Sequence, residues 1–225
     1  PGSGKMAVCL SQLYNEHQRG NQAGYAKFET FPVWNLPLKH PVNMAYEAAT
    51  ADLNDVNMID PFHLEAYGNI AVNYNRDVEI FPVLDALFTG IYGHNPYKSP
   101  TDMGVNMVGC SIDNDEACCQ ASKQEIIRRY YHALNDFANG DISEAVVNRI
   151  GRLFKQVGIS TEDRKCTVAA KERKERDNSM AVGAIELHDG TIITAEASPL
   201  LGSSAALLLN ATKYLAGIDH DVKLI

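Results

Sequence analysis

The apolar positions of this chain fall into helical stripes over most of its length and into short alternating runs near its end. Met6, Cys9, Leu10, Leu13 and Tyr14 recur at helical spacing directly after a glycine-rich turn. Gly24 to Phe31 alternates like a strand and stops at Pro32. Val42 to Asn54 reads as a short helix, with Ala45, Ala48, Ala49 and Leu53 on one face. Residues 55–75 read as irregular, apart from a turn of helix over Pro61 to Ala66. From Asp77, the series Ile80, Phe81, Leu84, Leu87, Phe88, Ile91 predicts a helix that ends at Gly93, with Pro82 tolerable only in its first turn. A loop over His94 to Gly109 follows.

Residues 114–138 form the longest predicted helix, with Ile126, Ile127, Tyr130, Tyr131, Leu134 and Phe137 as its buried stripe and Gly140 as its stop. Asp141, with Glu144 three residues on, predicts a capping box for a helix whose apolar face is Val146, Val147, Ile150, Leu153, Phe154 and Val157. The tail then changes period. Met180 to Leu187 and Thr191 to Glu196 read as a hairpin, and Asp189-Gly190 predicts a type I′ turn. A Gly/Ser turn leads into an apolar helix over Ala205 to Leu215. The pattern predicts an α/β fold, α+β in its later part. Residues 1–160 are expected to form a mostly helical part with one strand, and residues 161–225 a hairpin-plus-helix part.

Composition narrows the function classes. The apolar content of 45% supports a real core, and 20 basic against 28 acidic side chains make the chain acidic, with a net charge of −8. That balance argues against a nucleic-acid partner. The apolar runs fall far short of the ~20 residues a membrane span needs, so no membrane partner is expected. Five cysteines, an odd and low number, argue for free thiols in a reducing cytoplasm. Vicinal Cys118-Cys119 is not a C-x-x-C pair, and no metal site is assigned. The glycine turn has no strand before it and Val222, Leu224 and Ile225 suggest an unpartnered strand, so the chain reads as a piece of a longer protein.

The sharpest chemical signal is Gly2-Ser3-Gly4-Lys5 opening a helix. A phosphate site needs glycines that turn backbone N–H groups inward, a helix N-terminus, and a lysine for the terminal phosphates. Met6 stands where the magnesium-ligating Ser or Thr of a P-loop belongs, which argues against standard magnesium-nucleotide chemistry. The plain alternative is a glycine-rich turn with a solvent lysine. Ser203 and Ser204 offer hydroxyls and donors at a second helix start, where capping alone also explains them. The loop Tyr97 to Asn106 is dense in functional groups. Lys98 and Asp102 are the candidate catalytic pair, and Thr101 and Asn106 are candidates to fix a phosphate or hydroxyl; the alternative is an ordinary turn.

Asp60, His63 and Glu65, and the run Asp219-His220-Asp221, carry ligand types for a divalent ion without matching a defined motif. Lys27 and Glu29 share one face of the first strand, to pair or to face a cleft, and Arg76 suits a carboxylate or phosphate. The mixed-sign run Lys171 to Asp177 reads as an exposed helix or linker face.

Several stretches together carry a family resemblance. They are Pro1 to Met6, Lys27 to Pro32, Trp34 to Asn43, Ala49 to His63, Tyr97 to Met107 and Lys123 to Tyr130. They resemble the bacterial family known as domain of unknown function 1846, or uncharacterised protein family 0371, over essentially the whole chain. The resemblance implies a longer cytosolic protein of mixed α/β architecture that forms homo-oligomers. It implies no reaction, cofactor or catalytic list. Three readings stay open: an enzyme binding a nucleotide or phosphorylated small molecule, a non-catalytic assembly or regulatory module, and a metal-dependent hydrolase.

Overall fold

The computed structural model describes residues 4–219 and 221–222. It is mixed α/β: eight α-helices and two separate two-stranded antiparallel sheets among the described residues. The chain divides into two compact units, residues 1–158 and 159–225.

In the first unit, α1 (Lys5–Gln18) packs against α4 (Asn75–Tyr92). Leu13, Phe81, Leu84, Phe88 and Met103 form a buried cluster there, with Tyr25, Phe62 and Tyr97 against its edge. Pro82 lies well inside α4 rather than in its first turn, because the helix starts at Asn75, two residues earlier than the periodicity predicts. Gly93 closes α4 in the left-handed conformation (φ 80°), as expected of a C-terminal glycine. A second core joins α2 (Pro41–Ala49), α5 (Asp115–Asn139) and α6 (Glu144–Val157) through Met44, Ala48, Ile126, Ile127, Val147, Ile150 and Leu153. Of the expected α5 stripe, Ile126 and Ile127 are buried and Tyr130 is half-buried, whereas Tyr131, Leu134 and Phe137 are exposed. The cap of α6 is Ser143, not Asp141, and it makes no side-chain capping bond.

The region expected to be irregular holds a small sheet. Strands β1 (Asn57–Ile59) and β2 (Val72–Tyr74) pair antiparallel around α3 (Pro61–Tyr67), with Met58 opposite Asn73. Three-residue strands are too short to show a period, so the sequence hid them. Residues 24–31 are extended with alternating burial: Tyr25, Lys27 and Glu29 turn inward, while Phe28 is 94% exposed. They nevertheless form no regular strand. Lys27 N–H donates to the Met103 carbonyl, and the Val33–Asn106 bridge follows, but no neighbouring strand offers a continuous ladder. The buried Asn43 amide holds the end of this segment by bonding both the N–H and the carbonyl of Val33.

In the second unit, α7 (Lys165–Asp177) and α8 (Ser203–Leu215) pack against the hairpin β3 (Val182–Glu186) and β4 (Ile192–Glu196). Its turn differs from the expected type I′. Only Gly190 takes positive φ (84°), its N–H bonds the Leu187 carbonyl, and Leu187 N–H bonds Thr191. This is a three-residue loop in which glycine supplies the left-handed position.

Candidate functional site

Two polar clusters occupy the first unit. The first forms where the loop 98–106 meets α3. Asp60 is fully buried and caps α3, accepting from the N–H groups of Phe62 and His63 at 3.0 Å each. Its other oxygen accepts from the Thr101 N–H at 3.2 Å and hydroxyl at 2.5 Å. Asp102 accepts from the Tyr67 hydroxyl at 2.9 Å and the Lys98 N–H at 2.8 Å. His63 Nδ1 lies 3.0 Å from Ser99 Oγ and 3.8 Å from an Asp102 oxygen. Both contacts fall on one ring nitrogen and Ser99 is fully buried, whereas a nucleophile relay needs one partner on each nitrogen and an accessible hydroxyl. The Lys98 ammonium sits over the Tyr67 ring, 5.6 Å from its centre. Asn106 donates to the Thr30 carbonyl and accepts from Val108 N–H. Gly104 passes so close to the first segment that a Cβ there would lie 2.1 Å from the Lys27 carbonyl oxygen. The loop thus positions residues 24–31.

What it positions is the second cluster. The Lys27 ammonium donates to both Asp77 oxygens, at 2.6 and 2.5 Å, and to the Tyr74 hydroxyl, and it lies 3.0 Å from Glu29. Two carboxylates therefore share one ammonium in a half-buried setting. Burial raises the Glu29 carboxyl to about 7, with Asp77 adding to the rise against the pull of Lys27. Burial opposes the charge on Lys27, but bonds to Asp77 and Tyr74 outweigh it and hold the amine above its usual range. Burial pushes the Tyr74 phenol up to about 12. Lys27 thus stays cationic and Tyr74 protonated at neutral pH, while Glu29 is poised to exchange a proton.

Neighbouring groups extend this cluster. Arg76 pairs with the buried Asp55 at 2.5 Å. The Tyr46 phenol is raised first by burial, then by Asp55 and Glu29, with Arg76 and Lys27 opposing. Burial also raises Tyr25, whose phenol interacts with Lys27, Cys9, Asp77 and Glu29 and so links α1 to the cluster. The sequence pointed to Lys27 and Glu29 as one face and to Arg76 separately; Tyr46, Asp55, Tyr74 and the carboxylate role of Asp77 escaped it, because they come from separate elements.

At the start of α1, Gly4 is left-handed (φ 74°) and caps the helix without any side-chain bond, and no acidic residue sits in the first turn. Lys5 is exposed and, among the described residues, makes no ion pair. Gly2 and Ser3 lie outside the described residues, as does His220. Ser203 and Ser204 open α8 behind Gly202, with no side-chain capping bond. A cleft of about 420 Å³ lies beside His17, Asn21, Ala23, Tyr92, His94 and Tyr97.

Asp60, His63 and Glu65 do not converge as a metal set: both Asp60 oxygens are satisfied within the fold, and Glu65 is exposed. Among the described residues, the donors that do converge are His40, Asp115 and Cys119, within 4.8 Å of one another. All five cysteines are free. No helix of the described residues is long and apolar enough to cross a membrane.

These features define a two-unit mixed α/β protein with an ionisable cluster at the meeting point of five segments of its first unit. The chain belongs to the family called domain of unknown function DUF1846: the model of its N-terminal domain matches residues 1–158, and that of its C-terminal domain residues 162–225. The UPF0371 protein of Corynebacterium urealyticum is 60% identical over 225 residues, covering all of this chain and 45% of that relative. A UPF0371 protein of Streptococcus thermophilus is likewise 60% identical, and one of Streptococcus pyogenes 58%, with the same coverage. The chain thus spans about half the length of the curated relatives it matches.

Proposed function

We propose that this chain forms part of an enzyme acting on a phosphorylated small molecule, such as a nucleotide or sugar phosphate. The observation that carries the reading is the Lys27–Glu29–Tyr74–Asp77 cluster, in which Glu29 exchanges a proton near neutral pH beside a fixed cation. The start of α1 supports it: with Gly2 and Ser3, Gly4 and Lys5 would offer N–H groups and an unpaired ammonium to a phosphate. Lys98, Thr101, Asp102 and Asn106, proposed from the sequence as direct contacts, act in this reading by holding the Lys27 segment in place. Ser203 and Ser204 remain a proposed second anion contact, and the cytoplasm the proposed compartment.

The test is a thermal-shift screen of the full-length protein with inorganic phosphate, nucleotides and sugar phosphates. A ligand at a hundred times its Kd stabilises by about 2.7 kcal/mol. Lys5→Ala is expected to abolish the shift with folding intact, and Glu29→Gln to keep the shift but abolish turnover. No shift from any phosphorylated compound rejects the reading.

An assembly role is favoured by one observation, the exposed apolar side chains Tyr131, Leu134 and Phe137 along α5. In that reading they form a homo-oligomer surface. Leu134→Glu then lowers the mass of the full-length protein measured by light scattering; an unchanged mass excludes that surface.

A further inference from the structure

His40, Asp115 and Cys119 bring a nitrogen, an oxygen and a sulfur to one point. His40 Nε2 is 3.0 Å from Asp115 Oδ1 and 3.6 Å from Cys119 Sγ, and Sγ is 3.7 Å from Asp115 Oδ2. With zinc bonds of roughly 2.0–2.2 Å to N and O and about 2.3 Å to S, a tetrahedron has donor–donor edges of about 3.3–3.6 Å. The Nε2–Sγ edge matches, while His40 and Cys119 contact different oxygens of Asp115; taking one donor per side chain, the three lie within 4.8 Å of one another, and rotation of the exposed Asp115 carboxylate brings one oxygen toward both partners. We infer that these three side chains bind a zinc ion, with water completing the tetrahedron.

The scaffold suits this. Asp115 and Cys119 stand one turn apart on α5, and His40 caps α2, which packs against α5. The His40 side chain is nearly buried, whereas Asp115 is 61% exposed, so the ion has an entry path and its fourth position faces solvent. A thiolate and a carboxylate together balance a divalent charge, and sulfur with imidazole selects zinc over magnesium or calcium. The spacing of the sequence could not announce the site, since His40 precedes Asp115 by 75 residues.

Binding has a defined proton balance. His40 Nδ1 accepts from Val42 N–H at 3.3 Å, which places the imidazole proton on Nε2, facing Asp115. The ion takes the Nε2 lone pair, so that proton moves to Nδ1 and Val42 N–H loses its acceptor. The Cys119 thiol proton leaves to solvent. Zinc loading therefore releases the start of α2 from its side-chain cap.

The experiment adds Co²⁺ to the full-length protein. A thiolate-to-cobalt absorption band at one equivalent is expected, quenched by Zn²⁺ and lost in Cys119→Ser, which retains the wild-type melting temperature. Zn²⁺ retention through dialysis falls at least tenfold in the same variant. The Val42 amide resonance shifts on Zn²⁺ addition in wild type alone. No band in folded wild-type protein, or a band unchanged in Cys119→Ser, overturns the assignment.

Discussion

Glu29 shows how a single side chain acquires its chemistry from its surroundings. It is 10% exposed and shares Lys27 with Asp77, so its carboxyl rises from the usual 4.5 to about 7. A raised carboxyl means the folded protein holds a proton that the unfolded chain releases. Between about pH 4.5 and 7 the unfolded state binds fewer protons, so this group's contribution to stability falls as pH rises, and its full cost is present above 7. Glu29→Gln removes that term. The variant should lose less stability than wild type between pH 4.5 and 7, measured as denaturation midpoints at both ends. Equal losses would place the titrating proton elsewhere.

At the scale of elements, the loop 98–106 and α3 are fixed by Asp60 and Gly104. Asp60 makes four hydrogen bonds from complete burial, joining a helix cap to the loop. Asp60→Ala leaves three backbone donors unpaired besides the hydroxyl, one buried and two half-buried, and should destabilise by about 3–5 kcal/mol in chemical denaturation, since each orphaned group costs about 1–3 kcal/mol and the losses overlap. Gly104→Ala acts through sterics: its Cβ meets the Lys27 carbonyl, so the backbone must part. A cost of about 1–3 kcal/mol in chemical denaturation is expected from such overpacking, and in the proposed enzyme the shift of Lys27 lowers turnover more than ligand binding. An unperturbed Gly104→Ala variant would show that the loop does not position the cluster. Element boundaries were legible where caps and stripes agree, as at Gly93 and Gly140. They were not legible at β1 and β2, whose strands are three residues long.

For the whole molecule, the distribution of core predicts unequal stability. The first unit buries large side chains such as Phe88, Met44, Ile126, Ile127 and Leu153. In the second, Ala195 and Ala211 are the buried hydrophobic residues among those described. Burial of a large apolar side chain contributes about 1.5–3 kcal/mol, far more than burial of a methyl group. Calorimetry of this chain should show residues 159–225 melting first, with Phe88→Ala lowering only the later transition. A single transition shifted as a whole by Phe88→Ala would show that the units unfold together.

The sequence by itself determined the periodic helices, their glycine stops, the hairpin near the end, the free thiols and the family, because these depend on local pattern or on stretches read in order. It also marked Lys27 and Glu29 as facing one side. Only the tertiary structure decided what that side meets. Tyr74 and Asp77 come from β2 and α4, Tyr46 from α2, and Asp55 from the turn before β1; no spacing rule links them. The same holds for His40 with Asp115 and Cys119. Charge, burial and donor geometry are properties of neighbours in space, and folding alone makes distant residues neighbours.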